Sequence, residues 1–168
     1  MTKPSEHLAD WLRDAHAMEQ QALTMMERLA ARLENYPELR NRLQQHIAET
    51  RGQAQRLESC LQRSGKKPSA VKDAAARTIA TFQGLSGIFV DDEVVKGHLA
   101  SYVFEHFEIA SYRMLIAAAD EAGDAETRRV CEENLREEEA MAAWLAEHAA
   151  ETTQRFLERD LAELEAKH

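Results

Sequence analysis

The chain has few of the residues that form tight turns, cross-links or large aromatic cores. Among its 168 residues, six are glycine, three are proline and two are cysteine, and aromatic residues make up 6%. An all-β fold needs many turns, so this scarcity favours an all-α fold. Cys60 and Cys131 lie seventy-one residues apart, a spacing that indicates neither a zinc site nor a redox pair. We expect two free, buried thiols.

Positive charge and long apolar runs are also scarce. The chain has 21 Lys and Arg against 30 Asp and Glu, a formal net charge of -9. Binding to nucleic acid or to an anionic membrane surface requires clustered Lys and Arg, so the sequence predicts neither partner. No apolar run approaches transmembrane length, and the first residues lack the apolar segment of a secretion signal. We expect a cytoplasmic protein.

Helical periodicity fills most of the chain, which is long enough for one domain spanning residues 1–168. The pattern predicts two antiparallel helix hairpins that form a four-helix bundle, with a crossover helix between them and a helical extension at the C-terminus. We expect the crossover to let helix C start at the same end as helix A, and we expect a bend near Glu151 to Thr153. The predicted segments are helix A over 5–34, helix B over 37–63, the crossover helix over 70–83, helix C over 92–122, helix D over 125–149 and the extension over 153–166.

Four glutamates occupy matching positions in the two hairpins. Glu19 and Glu49 are thirty residues apart, and so are Glu108 and Glu138. The midpoint of each pair, position 34 in one case and position 123 in the other, falls at a predicted turn. Residues equally distant from a hairpin turn lie at the same axial level, about fifteen residues or roughly 22 Å from it. The spacing therefore predicts that all four glutamates meet inside the bundle.

Four inward carboxylates at one level would repel one another, and burial would raise their pKa values unless protons or cations neutralised them. Carboxylate oxygens suit hard cations as well as iron and manganese, and four-helix bundles build di-metal sites from inward glutamates. A pair of metal ions would resolve the repulsion.

Four segments carry a resemblance to a known family. Residues 46–58 (HIAETRGQAQRLE), residues 105–112 (EHFEIASY) and Glu137-Glu138, with Glu19-Gln-Gln21 near the start, resemble the YciE/YciF-type proteins. These are bacterial stress-associated members of the ferritin-like superfamily. The resemblance implies a ferritin-like bundle, a homodimer and a rubrerythrin-like di-metal position that binds iron or manganese. It implies Glu19, Glu49, Glu108 and Glu138 as the metal ligands.

The sequence departs from the ferritin-like pattern where that pattern places histidine ligands. Gly52 stands three residues after Glu49, and Met141 stands three residues after Glu138. One turn on, Gln53 and Ala142 occupy the next positions. We expect metal binding to be weaker, lopsided or lost.

Other polar residues near the predicted layer have supporting or structural interpretations. The five candidates for support are His46, Gln53, Glu105, His106 and Tyr112. His46 and His106 have spacings that indicate residues which hydrogen-bond to a ligand, alternative ligands, or satisfied core or edge histidines. Glu105 is a ligand or a carboxyl bonded to another helix. Tyr112 is a core residue whose hydroxyl lies near the polar layer, or a tyrosine that carries an oxidised equivalent from a redox metal.

The sequence leaves three functions open, and it does not reveal a physiological reaction or substrate. The first is a di-metal protein of the bacterial stress response. The second is a non-catalytic helical dimerisation or interaction module in which the metal site is vestigial. The third is an iron-storage cage of many subunits.

Overall fold

The computed structural model describes residues 3–65, 93–162 and 164, and all regular secondary structure among these residues is helical. Four helices occupy these residues: α1 (Pro4–Ala30), α2 (Pro37–Arg63), α3 (Glu93–Ala122) and α4 (Ala125–Leu161). The predicted all-α bundle is confirmed. The crossover helix predicted over 70–83 lies outside the described residues.

Local sequence explains where the helices begin and end. Pro4 and Pro37 open α1 and α2, where the missing N–H of proline breaks no helical hydrogen bond. Gly123 ends α3 with a φ of 70°, a left-handed conformation that glycine adopts without strain. Asp124 caps α4 by accepting a hydrogen bond of 3.0 Å from the backbone N–H of Thr127. The α1 helix ends at Ala30, four residues before the predicted boundary at 34, whereas α2 has the predicted bounds of 37–63.

Neighbouring helices run antiparallel around the bundle. Each of α1 and α4 packs against both α2 and α3. Arg63, at the end of α2, contacts Asp124 and Thr127 at the start of α4. Near the opposite end, Gly97 of α3 lies against Leu29 of α1, so close that a Cβ added at Gly97 would meet the Leu29 side chain at 2.6 Å. The α3 helix therefore starts at the opposite end from α1, and the sequence-based expectation of a shared end was wrong.

The α4 helix continues without a break through the expected bend at Glu151 to Thr153 and ends at Leu161. This stretch contains no glycine or proline, so nothing local stops the helix. Thr152 is buried, and its hydroxyl lies 3.3 Å from Nδ1 of His98 on α3. This contact holds the extension against the bundle where we expected the chain to turn.

Apolar side chains form the core along both halves of the bundle, above and below a polar layer at mid-length. Among the core residues that are at most 5% exposed are Leu8, Leu12, Met26, Leu43, Leu57, Leu115 and Leu145. The polar layer between these apolar parts is the candidate functional site.

Candidate metal centre

All four helices contribute buried polar side chains to the layer. Each is at most 2% exposed, which is unusual for residues of these types. The set consists of Glu19 from α1, His46, Thr50 and Gln53 from α2, Glu105, Glu108 and Tyr112 from α3, and Asn134 and Glu138 from α4.

Four of these side chains converge on one small volume. His46, Glu105, Glu108 and Glu138 each offer one ligand atom, and these four atoms lie within 4.8 Å of one another. They come from three different helices, so only the folded bundle brings them together. Three carboxylates and one imidazole at this spacing form a donor set that suits a divalent metal ion.

His46 connects this group to the protein surface. Its Nδ1 lies 2.8 Å from the carboxylate of Glu49, whose side chain is 23% exposed. Its Nε2 lies 3.2 Å from Glu105 and 3.3 Å from Glu138, although the angles there do not make hydrogen bonds. The imidazole thus has one nitrogen held by a rim carboxylate and the other directed into the cluster.

Glu19 joins the layer from α1 and has a single hydrogen-bond partner there. The hydroxyl of Tyr112 donates a hydrogen bond to Oε1 of Glu19, and Oε2 of Glu19 has no partner. The Tyr112 oxygen in turn accepts a hydrogen bond of 2.9 Å from Nδ2 of Asn134. One oxygen of Glu19 is therefore engaged and the other is left available.

Many polar atoms in the layer lack a hydrogen-bond partner. Each such buried atom ordinarily costs about 1–3 kcal/mol, and native proteins contain few of them. Their concentration at one level means that the protein groups do not complete the layer by themselves. The unpartnered atoms are Oε2 of Glu19, Nε2 of His46, both amide atoms of Gln53, Oε2 of Glu105, Oε1 of Glu108 and both carboxylate oxygens of Glu138.

Burial and mutual repulsion shift the pKa values of three carboxyl groups upward. Burial, followed by the charge of Glu138, raises the pKa values of Glu19 and Glu108 well above the usual range. Burial raises the pKa of Glu105 to about 8, although His46 opposes the shift. In the absence of another cation, these shifts favour the protonated, uncharged form of each of the three carboxyl groups.

His46 and Glu138 form the charged pair of the layer. Burial works against the charge on His46, but Glu105, Glu138 and Glu49 together raise its pKa well above the usual value. Burial also works against the charge on Glu138, yet its contacts with His46, Glu105 and Gln53 hold its pKa below the usual value. The metal-free layer is thus neutralised by protons and one internal ion pair.

The four glutamates predicted from the hairpin spacing have different environments. Glu19, Glu108 and Glu138 lie in the buried layer. Glu49 lies at its rim, where its carboxylate contacts Arg42 at 3.2 Å, Gln45 at 2.9 Å and His46. It does not belong to the converging group, so its role as a direct ligand remains a prediction.

The predicted supporting residues also differ in burial. His46, Gln53, Glu105 and Tyr112 are buried in the layer. His106 is exposed, and its ring lies 4.6 Å from the ring of Tyr102 in an edge-on contact. Sequence reasoning missed Asn134 because asparagine carried no spacing signal, and it placed His46 and Glu105 in supporting roles although both lie in the converging group.

The positions where the ferritin-like pattern places histidine hold other residues in the helices. Met141 and Ala142 are buried core residues on α4. Gly52 lies on α2 with no neighbour closer than 3.5 Å to a Cβ added there. The single histidine of the group, His46, comes instead from three residues before Glu49.

Comparison with known families identifies the family of this chain. Residues 3–158 match the family described as "Domain of unknown function (DUF892)". The chain belongs to this family. This match and the structural neighbours below confirm the predicted likeness to the YciF type.

Three solved structures share the fold. A protein from Xanthomonas campestris pv. campestris (XCC3681) is 40% identical, with a TM-score of 0.80 over 95% of this chain and 99% of that one. YcfI from Rhodopseudomonas palustris is 27% identical, with a TM-score of 0.69 over 87% and 94% of the two chains. The E. coli stress protein YciF is 24% identical, with a TM-score of 0.72 over 89% and 96%. The last likeness shows the fold alone.

The described helices do not meet the requirements for crossing a bilayer. None of them has both the length and the apolar character of a membrane span.

Proposed function

We propose that this DUF892 protein binds divalent metal ions, iron or manganese, within the polar layer of its bundle. The observation that carries the proposal is the convergence of His46, Glu105, Glu108 and Glu138 within 4.8 Å, with unpartnered atoms on all four. A cation placed among these atoms would satisfy them and would offset the repulsion between the carboxylates. The donor set therefore fits the group that the family resemblance implies.

The ligands would be Nε2 of His46 and carboxylate oxygens of Glu105, Glu108 and Glu138. Glu19 would add Oε2 and so extend the site towards a second ion. Glu49 has a separate role: it accepts the Nδ1 hydrogen of neutral His46 and leaves the lone pair of Nε2 for the metal. A carboxylate behind a ligating histidine is a common arrangement that fixes the ring and its tautomer.

Bound iron or manganese would supply Lewis-acid or redox chemistry in this layer. The buried position excludes bulk water, and Tyr112 holds Glu19 in place. One related structure is titled a stress protein. We extend a role in the bacterial stress response to this chain as part of the proposal.

A competing function follows from the proton balance of the layer. The raised pKa values of Glu19, Glu105 and Glu108 and the pairing of His46 with Glu138 let the layer exist without metal. In that case the protein is a non-catalytic helical interaction module whose metal site is vestigial.

Metal uptake by tag-free protein distinguishes the two functions. The protein is purified without chelator, titrated with Mn²⁺ and with anaerobic Fe²⁺, and measured for bound metal and melting temperature. We expect uptake and a metal-dependent rise in melting temperature in the wild type, and neither in Glu108→Gln. Anomalous scattering from a metal-soaked crystal should lie among the four converging residues. If the wild type takes up no metal, the vestigial interpretation is correct, and equal uptake by the wild type and Glu108→Gln contradicts ligation by Glu108.

A further inference from the structure

A chain of hydrogen bonds leads from the bundle surface to the unpartnered carboxylate oxygen of Glu19. Nε of Arg56, on α2, donates a hydrogen bond of 2.7 Å to Oδ1 of Asn134, on α4. Nδ2 of Asn134 donates one of 2.9 Å to the hydroxyl oxygen of Tyr112, on α3. The Tyr112 hydroxyl donates to Oε1 of Glu19, on α1. The chain crosses all four helices.

Arg56 fixes the direction of every bond in this chain. A guanidinium has donors and no acceptor, so the oxygen of the Asn134 amide must face Arg56. The amide NH₂ then faces Tyr112 and occupies a lone pair of its hydroxyl oxygen. The one hydroxyl hydrogen of Tyr112 is left for Glu19.

The surface end of the chain is held by two acidic residues of α4. Arg56 contacts Glu133 at 3.2 Å, and it also donates to the carboxylate of Glu137. Its side chain is 25% exposed, so the anchor is partly solvated while Asn134, Tyr112 and Glu19 are fully buried. A planar guanidinium that contacts three acceptors has little freedom to rotate.

We infer that Arg56, Asn134 and Tyr112 are positioning residues that prepare Glu19 as a one-oxygen metal ligand. Tyr112 engages Oε1, and Oε2 is left unpartnered beside the converging group. A carboxylate oxygen that already accepts a hydrogen bond is a weaker metal donor than a free one, so the bond from Tyr112 favours binding of an ion through Oε2. The network thus determines how Glu19 enters the site. This inference rests on the proposed metal-binding function.

Substitutions in the hydrogen-bonded residues test whether they position Glu19. The measurements are the affinity for Co²⁺ and the visible spectrum of bound Co²⁺, which reports coordination geometry. Asn134→Asp is the sharpest change, because it keeps the size and the acceptor for Arg56 but offers Tyr112 a competing acceptor. Tyr112→Phe removes the donor to Glu19. We expect both variants to lose about ten- to a hundredfold in Co²⁺ affinity and to show an altered Co²⁺ spectrum, as is usual when an outer hydrogen-bond partner of a ligand is lost.

Two controls separate positioning from general stability. Tyr102→Phe, on the same helix as Tyr112, removes a hydroxyl that takes no part in these hydrogen bonds. It should leave the Co²⁺ affinity and the Co²⁺ spectrum unchanged. Arg56→Met removes the cation and should lose Co²⁺ affinity. Arg56→Lys keeps a cation that only donates hydrogen bonds, so it should retain most of that affinity. All titrations are made well below the melting temperature of each variant, so a purely structural role would leave the spectrum intact.

The outcomes distinguish this inference from the function on which it rests. Absence of Co²⁺ binding in the wild type overturns both. Wild-type affinity and spectrum in Tyr112→Phe and Asn134→Asp, with clear binding by the wild type, overturn the positioning role alone.

Discussion

At the scale of single residues, the carboxyl groups of the layer differ in charge although they share one environment. Contacts with His46 hold the pKa of Glu138 below its usual value despite burial, whereas burial raises the pKa of Glu108 well above its usual value. The same substitution to glutamine should therefore have unlike consequences at the two positions.

Glu138→Gln should destabilise the metal-free protein by about 3 kcal/mol, because it removes a buried counter-charge of His46. Glu108→Gln replaces a neutral group by a neutral group and should change the free energy of unfolding by less than about 1 kcal/mol. Urea unfolding with a chelator present, at pH 7, measures both. Equal losses in the two variants would contradict the assigned charges.

The residue scale is also where sequence reasoning was weakest. Distance from a turn gives the axial level of a residue, which is why Glu19, Glu108 and Glu138 were correctly expected in one layer. It does not give the direction in which the side chain points. At 100° per residue, His46 and Gln53 point within about 20° of each other, while Glu49 is turned about 60° from His46. That rotation places Glu49 at the rim.

At the scale of helices, two glycines with different backbone conformations offer a matched comparison. Gly52 lies within α2 with room for a methyl group, whereas Gly123 closes α3 with a φ of 70°. Gly52→Ala should stabilise the protein by roughly 0.5–1 kcal/mol through better helix propensity. Gly123→Ala should destabilise it by about 1 kcal/mol or more because alanine resists the left-handed conformation. Thermal unfolding of both variants checks the opposite signs.

The contact between α3 and α4 at His98 should make stability depend on pH. Nε2 of His98 lies 2.7 Å from the carbonyl oxygen of Leu145, and Nδ1 lies near the hydroxyl of Thr152. The carbonyl oxygen can only accept, so Nε2 carries a hydrogen, and in the neutral ring Nδ1 accepts from the hydroxyl of Thr152. Burial lowers the pKa of His98 below 6.5, the carbonyl of Leu145 opposes this shift and His148 adds to it.

Below pH 6.5 the unfolded chain therefore takes up a proton at this histidine before the folded chain does, and stability falls as pH drops towards the folded pKa. His98→Gln should be less stable than the wild type at pH 7.5, and it should lose less stability between pH 7.5 and pH 5.5. Urea midpoints at the two pH values provide the comparison. An identical acid-induced loss in both proteins would contradict a neutral, buried His98.

The helix boundaries show which sequence signals suffice at this scale. Pro37 predicted the start of α2, and Gly123-Asp124 predicted the turn between α3 and α4. The bend expected at Glu151 to Thr153 had no glycine or proline to support it. The contact of Thr152 with His98 joins residues fifty-four positions apart, and the local sequence could not reveal it.

At the scale of the whole molecule, α3 carries apolar residues on more than one face. Leu99, Val103, Phe107 and Met114 are 54%, 42%, 39% and 63% exposed, and they follow one another along the helix. A helix that is apolar on several faces is usually covered on them. The homodimer implied by the family resemblance remains a prediction, and this row is a surface on which to test it.

Light scattering of the full chain should give about twice the 19.1 kDa mass of one chain. Val103→Glu should shift the protein towards monomer, because a charge in an apolar contact loses its hydration. Leu161→Glu, at a residue that is 85% exposed outside this row, is the matched control. A wild-type monomer would refute the dimer, and a dimeric Val103→Glu variant would refute this surface.

The polar layer also specifies the register in which the helices assemble. If one helix slid along the others by a single turn, about 5.4 Å, its charged side chains would leave their partners and face the leucines above or below the layer. A uniformly apolar core would accept such a shift with little penalty. The arrangement of Glu19, His46, Glu108 and Glu138 penalises it on every helix at once. The same buried residues that leave polar atoms without partners at the centre of the bundle therefore restrict the chain to one alignment of its helices.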